Sequence, residues 1–209
     1  MGNYYERIKV IRRKYLKYFP AGCKMLDVGC AEGTLIRYLS EEGYVVSGVD
    51  SDERHTRVAS DRQMSVFKQD AIVFLQGNKA AYEGIVCSHV LEHIPVDRVE
   101  LFIASCYEAL VRGGVLLIIT PNVHTLTGCA DFWNDPSHVR PFSLWSLEKL
   151  LTSAGFRMID IGYDEDTKHR ARKDIIHGAV DMLRLVAGFS CYGKAAFYTE
   201  IFAVVSRSV

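Results

Sequence analysis

Residues 25–33 read Met25-Leu26-Asp27-Val28-Gly29-Cys30-Ala31-Glu32-Gly33, and this stretch decides the fold. It opens with a short apolar run and closes in an acid-and-glycine turn. A helical pattern, Leu35, Ile36 and Leu39, follows at once. The order is therefore strand, tight loop, helix. Gly29 and Gly33 permit a backbone path, and a closeness to a ligand, that a Cβ would forbid. In open α/β sheets such a turn lies at the carboxyl end of a parallel strand, where ligands bind. The glycines are spaced G-x-x-x-G and not G-x-G-x-x-G, the spacing of dinucleotide sites. Asp27 stands two residues before the first glycine, and its carboxylate repels a pyrophosphate but attracts a cationic or zwitterionic ligand.

Downstream, residues 44–50 (YVVSGVD) read as a second strand that ends in an acid. At that tip Asp50 is placed to accept hydrogen bonds from both hydroxyls of a ribose. Ser51 and Asp52 are expected to cap a short helix over 53–60. Residues 65–71 form a third strand, again with an acid, Asp70, at its end; Asp70 is equally placed to cap a helix over 71–76. Residues 84–88 (GIVCS) have the length of a buried parallel strand and run into Ser88-His89-Val90-Leu91-Glu92-His93-Ile94-Pro95. Apolar positions 99, 101, 102, 103, 106, 109 and 110 mark a helix over 97–111, ended by Arg112-Gly113-Gly114. Residues 115–120 (VLLIIT) are the most hydrophobic strand. This alternation gives a parallel, doubly wound α/β sheet.

Upstream, apolar or aromatic residues at 4, 5, 8, 11, 15, 16 and 19 describe a helix over 3–19 with a basic outer face, stopped by Pro20-Ala21-Gly22. It is expected to cover the sheet, with Tyr4 or Tyr5 as the alternative closure over the ligand. A length of 209 residues fits one domain, and 49% hydrophobic with 24% charged residues fits a folded core. The 25 basic and 25 acidic residues balance, with no long basic run, which argues against a nucleic-acid partner. The six scattered cysteines, with no C-x-x-C pair, suit reduced thiols in the cytoplasm. No apolar run reaches membrane-spanning length.

Taken in series, LDVGCAEG, GVDSD, QDA, IVCSHVLEHI, LVRGGVLLIITPN and SLEKLLTSAGF resemble the class I S-adenosylmethionine-dependent methyltransferases over residues 24–160. The GGVLLIITPN stretch and residues 135–143 (DPSHVRPFS) are similar to those of small-molecule and glycan O-methyltransferases. The resemblance implies a Rossmann-like, seven-stranded, mostly parallel sheet with the last strand antiparallel, closed by strands over 156–163 and 197–206. It implies one methyltransferase domain over 1–209, with an N-terminal helix over 1–22 and a helical insertion over 164–195. It implies S-adenosylmethionine as cofactor, lined by Asp27, Gly29, Cys30, Gly33, Asp50, Ser51, Asp70, Ala71, Ser88 and His89, with Asp70 at the adenine amino group.

Removing a proton from an alcohol acceptor suits histidine near neutral pH. His89, His93 and His138 lie on loops at the carboxyl edge of the sheet, with His138 the preferred base and Glu92 and His93 its catalytic partners. His89, Glu92 and His93 also share one face of a helical turn and, with His138, form a candidate set for a divalent metal, although the reading without metal is preferred. The resemblance to ubiquinone-pathway and small-RNA 2′-O-methyltransferases, which carry Glu-x-x-Glu-His, departs at His89. Trp133 and Arg140 are the expected contacts for a small-molecule or glycan acceptor. Ser143 is read as the cap of a helix over 144–154, with Glu148 further in. The amphipathic 174–187 leaves open an acceptor pocket, a homodimer contact or a peripheral membrane surface. The rival outside enzymology is a non-catalytic binding subunit of the same fold.

Overall fold

The computed structural model describes residues 2–124 (side chains from residue 5), 132–164 and 200–208. The described chain runs α1 (Gly2–Arg12), a 3₁₀ turn (Arg13–Tyr18), β1 (Lys24–Val28), α2 (Thr34–Glu41), β2 (Val45–Asp50), α3 (Glu53–Asp61) and β3 (Val66–Lys68). It continues α4 (Ala71–Gly77), β4 (Tyr82–Ser88), two 3₁₀ turns (Leu91–His93 and Val96–Arg98), α5 (Val99–Ala109) and β5 (Leu110–Pro121). The last elements are α6 (Leu144–Ser153), β6 (Phe156–Asp164) and β7 (Glu200–Arg207).

The seven strands lie in the order β3-β2-β1-β4-β5-β7-β6. All pairs up to β4–β5 are parallel, and β7 runs antiparallel between β5 and β6. The strand order reverses between β1 and β4, the switch point at which open α/β sheets bind ligands. Because helices cover both faces, β4 and β5 read as continuous apolar runs: Ile85, Cys87, Leu116, Ile118 and Ile119 are fully buried. One core layer packs these strands with Leu75, Phe102 and Leu151 from the helices. The opposite layer seats Tyr15, Phe19, Tyr38 and Leu39 on Met25, Val86 and Leu117.

Several boundaries differ from the sequence reading. The N-terminal helix tightens into 3₁₀ at Arg13, which turns Tyr15 onto Phe202 of β7 with ring centroids 5.2 Å apart. Tyr5 does not close over the ligand edge: its hydroxyl donates to Glu41 of α2, and Arg37 stacks 4.3 Å above its ring. Tyr4's side chain lies outside the described residues. Strand β5 begins at Leu110, where Leu110 pairs with Tyr82 before the register shifts to Gly84–Val115. Arg112-Gly113-Gly114 is thus an irregularity within the strand, with Gly113 at φ 75, and does not end the helix. The insertion beyond Asp164 and the first residues of the expected last strand lie outside the described residues, as do Cys129 and Cys191. The four described cysteines are buried and free.

Candidate active site

The loop after β1 is built from three left-handed residues, Gly29 (φ 70), Ala31 (φ 45) and Gly33 (φ 78). Gly29 needs more than that freedom, because a Cβ there would sit 2.2 Å from Cγ2 of Val90. The loop is pinned to β2: Gly29 N–H and Cys30 N–H donate to Val49 O, and Ala31 N–H donates to Asp50 Oδ2 at 2.9 Å. Asp50 Oδ1 accepts from Asp52 N–H at 2.8 Å, so each oxygen holds one backbone donor and retains a lone pair for a hydroxyl. The side chain of Cys30 turns inward against Gly48, and burial with the nearby acids Asp27 and Asp50 raises its thiol pKa; only its backbone remains for a ligand.

Asp27 is 4% exposed on β1. Burial first, and the Asp50 charge second, push its carboxyl up to about 8, against the pull of Arg12. Asp70 follows β3 and caps α4: Oδ1 accepts from Ile72 N–H at 3.0 Å and Val73 N–H at 3.1 Å, while Arg98 approaches at 3.3 Å. Ala71 is the first residue of that helix. Ser51 does not cap α3; Asp52 does so alone, accepting from Arg54 N–H. Asp27, Asp50 and Asp70 are thus carried by neighbouring strands along one carboxyl edge.

Beyond Ser88 the chain turns through His89, a non-glycine residue at φ 57 whose N–H donates to Ile119 O at 2.9 Å. That turn aims the imidazole between two acids, with Nε2 2.9 Å from Glu200 Oε1 and Nδ1 3.2 Å from Glu92 Oε1. Burial pulls the imidazole pKa down, but the bonds to Glu200 and Glu92 outweigh it and raise it to about 9. With both ring nitrogens engaged, His89 is poorly placed as a base.

Glu92 is fully buried, and its Oε2 accepts from Thr120 Oγ1 at 3.0 Å. Its Oε1 has no well-aligned donor among the described residues, the His89 contact being oblique. Ligand atoms of Glu92, His93 and His138 lie within 4.8 Å of one another. The four-residue metal set of the sequence reading is therefore gathered as three, with His89 drawn off toward Glu200. The segment carrying His138 is tied down by Val139 N–H donating to Glu92 O and by the Asn122–Phe142 bridge. His138 Nδ1 lies 2.8 Å from Phe132 O, which fixes it as the protonated nitrogen and leaves Nε2 with its lone pair. His93 Nδ1 points to Ser137 O and Ser137 Oγ, and that hydroxyl in turn donates to Asp135 Oδ1 at 2.5 Å, so His93 Nε2 also carries a lone pair. Trp133 is exposed, its ring 5.0 Å from that of Phe132. Arg140 stacks over Phe142 at 5.1 Å. Ser143 caps α6 as expected, with Ser146 as its capping-box partner.

The sequence reading missed Arg12. Its guanidinium is buried and donates to Ser88 Oγ at 3.0 Å, to Asp164 Oδ2 at 3.2 Å and to Glu200 Oε2 at 3.2 Å. Tyr15 and Lys14 also reach Asp164. The local signal was only an arginine on an amphipathic helix.

A model of the methyltransferase domain matches residues 3–161. The chain belongs to this methyltransferase family, and the sheet order and glycine loop are those of its class I, S-adenosylmethionine-dependent members. A relative from Mycolicibacterium smegmatis, named "Probable S-adenosylmethionine-dependent methyltransferase", is 30% identical over 76% of this chain, which spans 61% of that relative's length. The ubiquinone biosynthesis O-methyltransferase of Coxiella burnetii is 28% identical over 74% of this chain and 73% of its own. The crystal structure of an S-adenosylmethionine-dependent methyltransferase from Archaeoglobus fulgidus superposes with a TM-score of 0.78 at 24% identity, covering 97% of this chain and 94% of that one.

Proposed function

We propose that this chain is a single-domain enzyme that moves the methyl group of S-adenosylmethionine to an oxygen of a small molecule or glycan, with His138 as general base. The observation that carries the base assignment is the 2.8 Å contact of His138 Nδ1 with Phe132 O, which leaves the Nε2 lone pair, 3.8 Å from Asp135 Oδ2, to accept a proton. In the reaction the acceptor O–H proton goes to His138 Nε2 as the new O–CH₃ bond forms. The S–CH₃ bond breaks with its electron pair going to sulfur, leaving a neutral thioether. Holding acceptor and sulfonium in line accounts for several kcal/mol of the barrier by itself.

On this reading Asp50 takes the ribose, Asp70 and the Ala71 amide take the adenine, and the Gly29–Gly33 loop lies under the methionine moiety. Arg12, bonded to Ser88, is the buried cation suited to the methionine carboxylate. Trp133 and Arg140 border the acceptor. The Coxiella relative's O-methyl chemistry supports an oxygen acceptor, and the buried free thiols support a reducing compartment such as the cytoplasm. No described helix is long and apolar enough to cross a membrane.

The test is mass spectrometry of extracts incubated with methyl-labelled donor, repeated with His138→Ala. That variant is expected to lower turnover about 100-fold while leaving S-adenosylhomocysteine affinity within about twofold. Unchanged turnover removes His138 from the mechanism. Failure of the wild type to bind either nucleoside favours the inert-subunit reading.

A second reading is metal-assisted transfer, favoured by the grouping of Glu92, His93 and His138 and by both imidazoles turning Nδ1 toward a backbone carbonyl, as metal-bound histidines do. These three would hold a divalent cation, which would polarise the acceptor oxygen. Activity that survives exhaustive chelation, with no metal in the purified protein, sinks that reading. Labelled RNA as acceptor separates its RNA 2′-O-methyltransferase form, against which the balanced charge already counts.

A further inference from the structure

Glu200 occupies a position that the proposed chemistry does not yet use. It opens β7, 111 residues along the chain from His89 and 188 from Arg12, and it bonds both. Asp164, the other acid on Arg12, is sealed at 0% exposure and also serves Lys14 and Tyr15. The Glu200 side chain keeps 19% exposure and lies one residue's contact away from Ser88, through Arg12.

The sheet order indicates what comes near it. Strands β3, β2, β1 and β4 stand side by side, three spacings of about 4.8 Å, or about 14 Å in all. With adenine at Asp70 beyond β3 and ribose at Asp50 on β2, the sulfur falls over β1 and β4, next to Ser88. The acids ahead of it are Glu92 and Glu200, one on each side of His89. Arg12 and Lys14 from the N-terminal segment, Asp27 on β1 and Asp164 on β6 complete the charged surroundings.

We propose that Glu200 is a specificity-determining carboxylate that favours the charged sulfonium donor over the neutral thioether product. The proposal rests on the cofactor reading above. Donor and product share adenosine, ammonium and carboxylate, and differ by one methyl and one positive charge at sulfur. A fixed carboxylate near that sulfur acts alike on the groups the two share but stabilises only the donor's sulfonium, so it promotes exchange of spent product for fresh donor. Arg12 Nη1 at 3.2 Å and His89 Nε2 at 2.9 Å hold the two Glu200 oxygens in place.

Calorimetric titration of the wild type and of Glu200→Gln with S-adenosylmethionine and S-adenosylhomocysteine tests this. Loss of the Glu200 charge is expected to reduce the donor-to-product affinity ratio about fivefold, the effect of roughly 1 kcal/mol of Coulomb attraction. Glu200→Asp keeps the charge and is expected to keep the ratio within about twofold. Should Gln not fold at this position, Glu200→Thr removes the charge with a good strand former and must lower the ratio in the same way. Equal weakening of both ligands, or an unchanged ratio, overturns the proposal while the cofactor reading stands. A wild type that binds neither ligand removes the cofactor reading, and the proposal with it.

Discussion

Asp27→Asn separates what the buried acid costs the fold from what it contributes to the site. Asp27 is 4% exposed, and burial and Asp50 lift its carboxyl from an ordinary 3.8 to about 8. The folded state therefore holds a proton that the unfolded chain releases near pH 4. Stability is fully present below the unfolded value and falls as pH rises from about 4 to about 8, then levels. At about 1.4 kcal/mol per tenfold change, the ceiling on that loss is about 6 kcal/mol; relaxation and water penetration bring the expected value nearer 2–3 kcal/mol. Asparagine is nearly isosteric and carries no charge. Denaturant unfolding at pH 5 should thus distinguish the proteins little, whereas at pH 9 the variant should be more stable by about 2–3 kcal/mol, or roughly 4–12 °C in melting temperature. Calorimetry at pH 9, where Asp27 is ionised, should show the reverse for function, with affinity for S-adenosylmethionine reduced about tenfold or more in the variant through loss of that negative charge. Parallel pH–stability curves for the two proteins would refute the buried-acid argument. Unchanged affinity would remove Asp27 from the cofactor site.

Arg12→Met should cost about 2 kcal/mol or more in denaturant unfolding, because it removes the buried guanidinium that Asp164 and Glu200 share and leaves Asp164 to Lys14 and Tyr15 alone; a loss below about 1 kcal/mol contradicts the network. The same variant should weaken S-adenosylhomocysteine far more than 5′-methylthioadenosine, which has no carboxylate. Gly29→Ala introduces a Cβ 2.2 Å from Val90 at φ 70, so cofactor titration should show binding largely lost. Adding Val90→Ala should restore part of the stability, since it relieves the clash but not the backbone strain, and full recovery would show that φ carries no cost here.

The sequence alone determined the features set by local rules. Periodicity separated strands from helices. The G-x-x-x-G turn and the acids at 27 and 50 marked the carboxyl edge of the sheet, because each is a strand-end feature readable within ten residues. Serine at 143 before an apolar periodic run gave the start of α6 for the same reason. Where two local roles competed, sequence reading left both standing: Asp70 was an adenine ligand or a cap, and the geometry shows its capping bonds directly. Strand β5 began early because pairing with Tyr82 recruited Leu110, a tertiary choice that overrode the helical pattern.

The charge network could be decided only in three dimensions. Arg12, Ser88, His89, Asp164 and Glu200 are scattered along the chain, and they meet only because β7 inserts between β5 and β6 and the N-terminal turn folds over them. Residue type gave Arg12 the look of a solvated helix face, and gave His89 the look of a metal ligand. Burial beside specific acids made the first a buried, paired cation and the second a clamped imidazole. Hydrophobic pattern is written in neighbours along the chain, whereas the environment of a charge is set by whatever the fold brings to within a few ångströms of it.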